Sequence, residues 1–257
     1  MRRSGARWIA YALVLPIVLV VAVPFIYMVA AVLTAATDEL VALPLGRMAV
    51  TSVIFSLTVV TGQVLTSAAA AYAFARLRFA GRDRLFFAYL ATLAAPAILL
   101  ALPRFLLIDA LGWVDSYGGL ISTELVSVTG IFLLRQFFLA LPRELEDAAR
   151  LEGAGEWTIF RRIVVPQSGP ALATLAVLAF AEQWRSFLWP LVVTRSSAMQ
   201  VIEVGIANLR GLYLVTWPQQ MALAAIALAP MLVLYLVAGK YFIRGIEMMA
   251  TERSTPT

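Results

Sequence analysis

Residues 142–170 read PRELEDAARLEGAGEWTIFRRIVVPQSGP, and the rest of the chain is arranged around them. Four arginines and five acids fall in this stretch, between two apolar regions of membrane length. A segment this polar cannot lie in hydrocarbon, where unpaired polar groups are heavily penalised. Its pattern predicts two short helices around a glycine turn. Pro142 suits a first helical turn, and Glu144, Glu146 and Asp147 sit where a helix dipole favours acids. Gly153 fits the stop of a helix running from Glu144 to Glu152. A second helix, Glu156 to Ile163, puts Trp157, Phe160 and Ile163 on roughly one side. Pattern alone leaves two readings open. One is an interfacial amphipathic helix solvated on one face; the other is a docking element for a second protein.

Working outward, the composition is that of a polytopic membrane protein. Of 257 residues, 62% are hydrophobic and only 14% charged, against roughly a quarter charged in soluble domains. Mean hydropathy is +0.88. With neither cysteine nor histidine in the chain, disulfides, thiol nucleophiles, imidazole bases and the usual zinc sites are excluded. The net charge of +5 needs no nucleic acid, because arginines flanking membrane spans follow from topology.

A bilayer crossing takes about 20 apolar residues. That length predicts six spans, at about 8–36, 48–75, 85–108, 120–141, 164–193 and 221–241, in one transmembrane domain covering 1–257. The first run is too long for a signal peptide. Basic residues cluster before the first span, at 76–84, at 143–162 and after the sixth span. The intervening connections, among them the short polar turn Asp38 to Arg47 and the segment 194–220, carry only Arg47, Arg104, Arg195 and Arg210. The positive-inside rule therefore expects both termini, and the stretch 142–166, in the cytoplasm.

Residue identities then narrow the reading of the polar stretch. Asp147-Ala148-Ala149, three residues, Gly153, nine residues, Ile163, and Pro166 after two more resemble the EAA loop of ATP-binding-cassette importer permeases. The flanking ELEDAARLEGA and IVVPQSGPAL are similar to the carbohydrate-uptake branch, in particular to the maltose-type second permease subunit. AAYAFARLRFAGRD at the end of the second span, GGLIS, FLWPL, VGIANLRG and YFIRG extend the likeness along the chain. The resemblance implies an all-α fold of the type I importer class, with six transmembrane helices and a cytoplasmic coupling helix. It implies a role as the permease subunit of an ATP-driven importer, moving a sugar or sugar-like solute by alternating access. It also implies partners: a second, paralogous permease, a homodimeric cytoplasmic ATPase and an extracytoplasmic solute-binding protein, in a bacterial cytoplasmic membrane. The coupling role falls on Glu144, Glu146, Asp147, Ala148, Ala149, Glu152, Gly153, Ile163 and Pro166. The alanines permit close approach, and the acids meet basic groups on the ATPase. Two departures stand out: the triplet's usual Glu is Asp147 here, and the usual Asp before Gly153 is Glu152.

No GxxxxGK[ST] phosphate loop is present, and the single lysine, Lys240, stands in AGKY at 238–241. The expectation is no catalytic site, metal or cofactor on this chain, with ATP and Mg held by the partner ATPase. Charges inside spans are the default functional suspects. Glu182 and Arg185 are three apart on one helix face, with Trp184 and Trp189 beside them. These groups suit a sugar, through paired hydrogen bonds and ring stacking; a structural ion pair within the bundle is the alternative reading, and the one favoured. Asn208 and Arg210 stand further out, as candidates for the entrance. An ion-gradient-driven secondary carrier is the competing function class. The lack of histidine, the few buried acids and the coupling loop count against it.

Overall fold

A computed structural model describes residues 2–34, 44–212 and 216–251. The described residues form helices and connections, with no strand among them. Twelve α-helices are used below: α1 Arg2–Thr34, α2 Leu45–Arg76, α3 Arg82–Ala91, α4 Ala97–Ala110, α5 Tyr117–Ile121, α6 Val128–Ala140, α7 Glu144–Leu151, α8 Glu156–Ile159, α9 Gly169–Trp184, α10 Leu188–Val193, α11 Ile202–Leu212 and α12 Trp217–Thr251. Most of the expected polar turn Asp38 to Arg47 lies outside the described residues.

Three helices are long and apolar enough to cross a membrane alone, within α1, α2 and α12. The other three expected spans are each a bent pair of helices rather than a continuous rod, and each bend has a local cause. The third breaks between Ala94 and Ala97 with a bend of 103°. Pro96 disfavours a helical conformation at the residue before it, and Ala95 is extended at φ −77, ψ 121. Pro103, by contrast, is carried inside α4. The fourth bends by 40° ahead of Val128, where the Ser127 hydroxyl caps α6 by accepting the Gly130 amide at 3.0 Å. The fifth turns through 77° between Gln167 and Gly169 and stops again after Trp184, before resuming as α10. Pro170 has no amide to donate back across the first of these breaks.

The connection 194–220, expected to be external loop, instead holds α11. Val201, Ile202, Val204 and Ile206 are all buried, so the first turns of α11 belong to the core.

α2 is the hub, packing on α6, α9 and α11. Ser52, Ser56, Ser67, Ala68, Ala71 and Ala75 are buried along it, and small side chains let helices come close in an apolar medium. A Cβ on Gly130 of α6 would fall 2.6 Å from Ser67 Oγ, so the glycine is what allows this crossing. Polar side chains of α2 bind the carbonyls freed at the kink before α6. Gln63 Nε2 donates to Glu124 O at 2.8 Å, and Thr66 Oγ1 donates to Leu125 O at 2.9 Å.

At one end of the bundle, Tyr72, Leu134, Phe138, Ile159, Phe160 and Leu175 form one core cluster. Toward the other end, Phe55, Val59, Leu120, Trp189, Val193 and Val201 form a second. Asp115 pins the chain there. It takes φ 60, donates its amide to Val193 O at 2.8 Å, and accepts the Arg195 and Ser196 amides on Oδ1 at 2.8 and 3.0 Å. Burial pushes its carboxyl up, but these two amides, together with the Ser196 side chain and the Arg195 charge, hold the pKa below the usual aspartate value.

Candidate functional site

The polar stretch folds largely as its pattern predicts. α7 carries Glu144, Glu146 and Asp147 in its first turn and Arg150 in its last. Its stop is a Schellman arrangement. The Gly153 amide donates to Arg150 O at 3.0 Å and the Ala154 amide to Ala149 O at 2.9 Å, with Gly153 at φ 87. The second helix differs from a regular Glu156 to Ile163. It is α-helical only to Ile159 and continues as a π-helical turn over Phe160–Val164. Trp157 is exposed while Phe160 is buried, their rings 5.4 Å apart.

The acids of α7 divide into two kinds. Glu146 is buried, its side chain only 2% exposed, with Arg76 of α2 equally buried and their charged atoms 2.8 Å apart. Arg76 also donates from Nη2 to Leu141 O at 2.9 Å. Glu146 therefore faces the bundle rather than the surface, and in this structure it ties α7 to the core. Glu144, Asp147 and Glu152 remain exposed. Asp147 pairs with Arg150 at 2.8 Å, and Arg150 bridges on to Glu156 at 2.9 Å. Glu156 in turn accepts the Tyr72 hydroxyl at 2.5 Å. The hydrogen bond to Glu156 raises the Arg150 pKa further above its ordinary value against the opposing pull of burial.

Ala148, Ala149, Glu152, Ile163 and Pro166 converge on an open groove of about 490 Å3, completed by Leu145, Arg162 and Gln167. Leu145, Leu151 and Trp157 present exposed apolar side chains on the same polar stretch, with Leu151 91% exposed. Sequence reasoning passed over Leu145 and Leu151, although large apolar residues within a charged segment were a visible signal. It also missed Arg76 as the partner of Glu146, a contact between positions 70 apart.

The intramembrane suspects are not brought together. Trp184 is buried, donates to Ala227 O of α12 at 2.9 Å and stacks on Phe180, so it ties α9 to α12. Arg185 is exposed and donates to Ala181 O in its own last turn. No Glu182–Arg185 ion pair is formed among the described residues. Asn208 is half-buried on α11; the Arg210 side chain lies outside the described residues. Glu182 and Trp189 alone line a recess of about 240 Å3, with Ala97, Ala101, Arg104, Glu124, Gln183 and Ser186. Trp189 donates to Leu120 O at 3.1 Å, and one of its faces is covered by the Arg104 guanidinium at 4.1 Å from the ring centroid. Arg104 pairs with Glu124 and donates to Thr123 Oγ1 at 2.6 Å. Arg104, Glu124 and Gln183 are the recess residues the sequence did not single out.

Residues 62–248 match the family model described as binding-protein-dependent transport system inner membrane component. The chain is 37% identical over 197 residues to the arabinooligosaccharides transport system permease protein AraQ of Halalkalibacterium halodurans, covering 77% of this chain and 71% of that one. It is 35% identical over 205 residues to the sn-glycerol-3-phosphate transport system permease protein UgpE of Yersinia pestis, covering 79% and 73%. In fold it resembles a chain of the bacterial ABC transporter involved in the import of the acidic polysaccharide alginate. The TM-score is 0.82 at 22% identity, over 93% of this chain and 98% of that one.

Proposed function

The chain belongs to the family of binding-protein-dependent transport system inner membrane components, and from that premise we propose that it carries a sugar or sugar-like solute inward through a bacterial cytoplasmic membrane by alternating access. It is a multi-pass permease subunit of an ABC importer, and ATP is hydrolysed by a partner, not by this chain. An ion-gradient-driven carrier is not favoured. In our reading the partners are a second, paralogous permease, a homodimeric ATPase that holds ATP and Mg, and an extracytoplasmic solute-binding protein. Both termini and the segment 142–166 face the cytoplasm.

The observation that carries the coupling assignment is the two-sidedness of α7. One side is tied into the bundle through Glu146 and Arg76. The other presents Asp147, Ala148 and Glu152 beside an open groove. A partner that moves α7 therefore moves α2, and with it the helices packed on α2. In this reading Asp147 and Glu152 make the polar contacts with the ATPase, Leu145 and Leu151 the apolar ones, and Gly153 fixes the helix stop.

The test is reconstitution with the cognate ATPase, second permease and binding protein, measuring solute uptake and ATP hydrolysis together. Gly153→Asp is expected to retain assembly and lose the stimulation of hydrolysis by loaded binding protein. Full ATP-dependent uptake by that variant would overturn the coupling assignment.

A further inference from the structure

Five side chains close a ring where α2 meets the polar stretch. Tyr72 and Arg76 stand one turn apart on α2 and so share a face of it. Arg76 reaches Glu146 of α7 at 2.8 Å, and Tyr72 donates its hydroxyl to Glu156 of α8 at 2.5 Å. Arg150 joins these two carboxylates. Its Nε donates to Glu156 Oε1 at 2.9 Å, and its Nη2 lies 3.3 Å from Glu156 Oε2 and 3.5 Å from Glu146 Oε2. The circuit runs from Arg76 through Glu146, Arg150 and Glu156 to Tyr72, and the backbone of α2 completes it. Asp147 branches from the ring, held by Arg150 Nη1 at 2.8 Å.

The ring spans a pliant joint. α7 and α8 are connected through Glu152, Gly153, Ala154 and Gly155. Two glycines leave this backbone free to take many angles. The Gly153 and Ala154 amides bond back into α7, to Arg150 O and Ala149 O, which ends the helix without fixing the direction of the next. The polar link across the joint is Arg150 to Glu156. That hydrogen bond, helped by the Tyr72 hydroxyl, holds the Glu156 carboxyl below the usual glutamate range against the push of burial, so the link stays charged. Arg150 is 34% exposed, and ion pairs open to water add little stability. What its planar fork supplies is geometry, with three nitrogens placed on three carboxylates at once, which a point-charge lysine cannot copy.

We propose that Arg150 is a positioning residue for coupling: it locks α7 and α8 into one body, so that a displacement of α7 reaches α2 at Tyr72 as well as at Arg76. The proposal rests on the coupling reading above and adds to it a second route into α2 and the residue that closes it.

The test uses the full transporter in proteoliposomes, this chain with its second permease, ATPase and binding protein. The chain has no cysteine, so spin labels at Arg143→Cys and Thr158→Cys, both exposed positions, report the distance between the start of α7 and α8. A single narrow distribution is expected with Arg150 in place, a broad one in Arg150→Ala and an intermediate one in Arg150→Lys. Uptake per ATP hydrolysed is then measured with arabinotriose, maltotriose and sorbitol as probes. Arg150→Ala and Tyr72→Phe should each lower it roughly fivefold, the loss of one or two hydrogen bonds. Tyr72→Phe keeps the ring that packs on Phe160 at 5.1 Å, so it cuts only the link to Glu156. Both variants should retain their melting temperature and co-purify with the ATPase. The double variant should be no worse than Arg150→Ala alone, because both changes cut one path. An unchanged label distribution in Arg150→Ala, or undiminished uptake per ATP in either single variant, overturns the proposal and leaves the importer reading standing. Multiplied effects in the double variant, or loss of the ATPase, overturn it as well. Wild type that imports none of the three probes with ATP overturns the sugar-import reading, and the label distances then decide the role of Arg150 by themselves.

Discussion

Arg76 and Glu146 form an ion pair between the last turn of α2 and the first turn of α7, their charged atoms 2.8 Å apart and both side chains almost wholly excluded from solvent. The contact is not that of an aligned hydrogen bond, and Arg76 Nη1 has no partner. Its role is to make α7 part of the bundle. Removing either partner strands a buried charge, which costs about 3–5 kcal/mol. Arg76→Ala and Glu146→Ala are each expected to lower the melting temperature of the purified complex sharply. Replacing both by apolar residues of similar size, Arg76→Met with Glu146→Leu, should recover most of the loss. Thermal unfolding of the four proteins decides it. Equal instability of the single and double variants would show that the pair itself, not the stranded charge, matters.

Gly153 holds φ 87, and a Cβ there would meet nothing within 4 Å. The cost of a side chain is therefore backbone strain alone, about 1–2 kcal/mol for a residue forced left-handed. Gly153→Ala should loosen the C-terminal turn of α7, and Gly153→Asn should do so less, because asparagine tolerates this conformation. Hydrogen exchange at the Ala154 amide, which closes the turn onto Ala149 O, reads the difference.

Asp115 makes the opposite end of the molecule sensitive to acid. Its folded pKa is depressed, so the stability it contributes is present above the ordinary aspartate range and is lost as pH falls through the folded value. Exchange of the Arg195 and Ser196 amides should keep a constant protection from neutral pH down to about 4, the ordinary aspartate value. Protection should then decline with further acidification. Asp115→Asn, which keeps an acceptor and tolerates φ 60, should remove the pH dependence while retaining part of the protection. Asp115→Ala should remove both.

Gly119 has no room for a side chain. A Cβ would sit 2.3 Å from the Trp113 carbonyl oxygen and 2.9 Å from Ile108 Cγ2, and a backbone atom cannot swing aside as a side-chain tip can. Gly119→Ala is expected to destabilise by about 1–3 kcal/mol, read as a lower melting temperature. Gly46, where nothing lies within 4 Å, is the control and should tolerate alanine.

The membrane class, the apolar runs and the α7–Gly153–α8 pattern were legible in the sequence because each is a local property. Composition sets solvent preference, acids gather at a helix start, and a glycine stops a helix by its own conformational freedom. Long-range relations were not legible. Glu146 and Asp147 are adjacent acids on one short helix. Only the packing of α2 beneath α7 makes the first a buried tether and leaves the second at the surface. Likewise Trp184 and Trp189 look equivalent five residues apart, yet the break after α9 sends one toward α12 and the other toward Arg104. Helix periodicity does not carry across such a break. Which charge faces a partner, which faces a recess and which holds the bundle together were therefore decided by the tertiary structure alone.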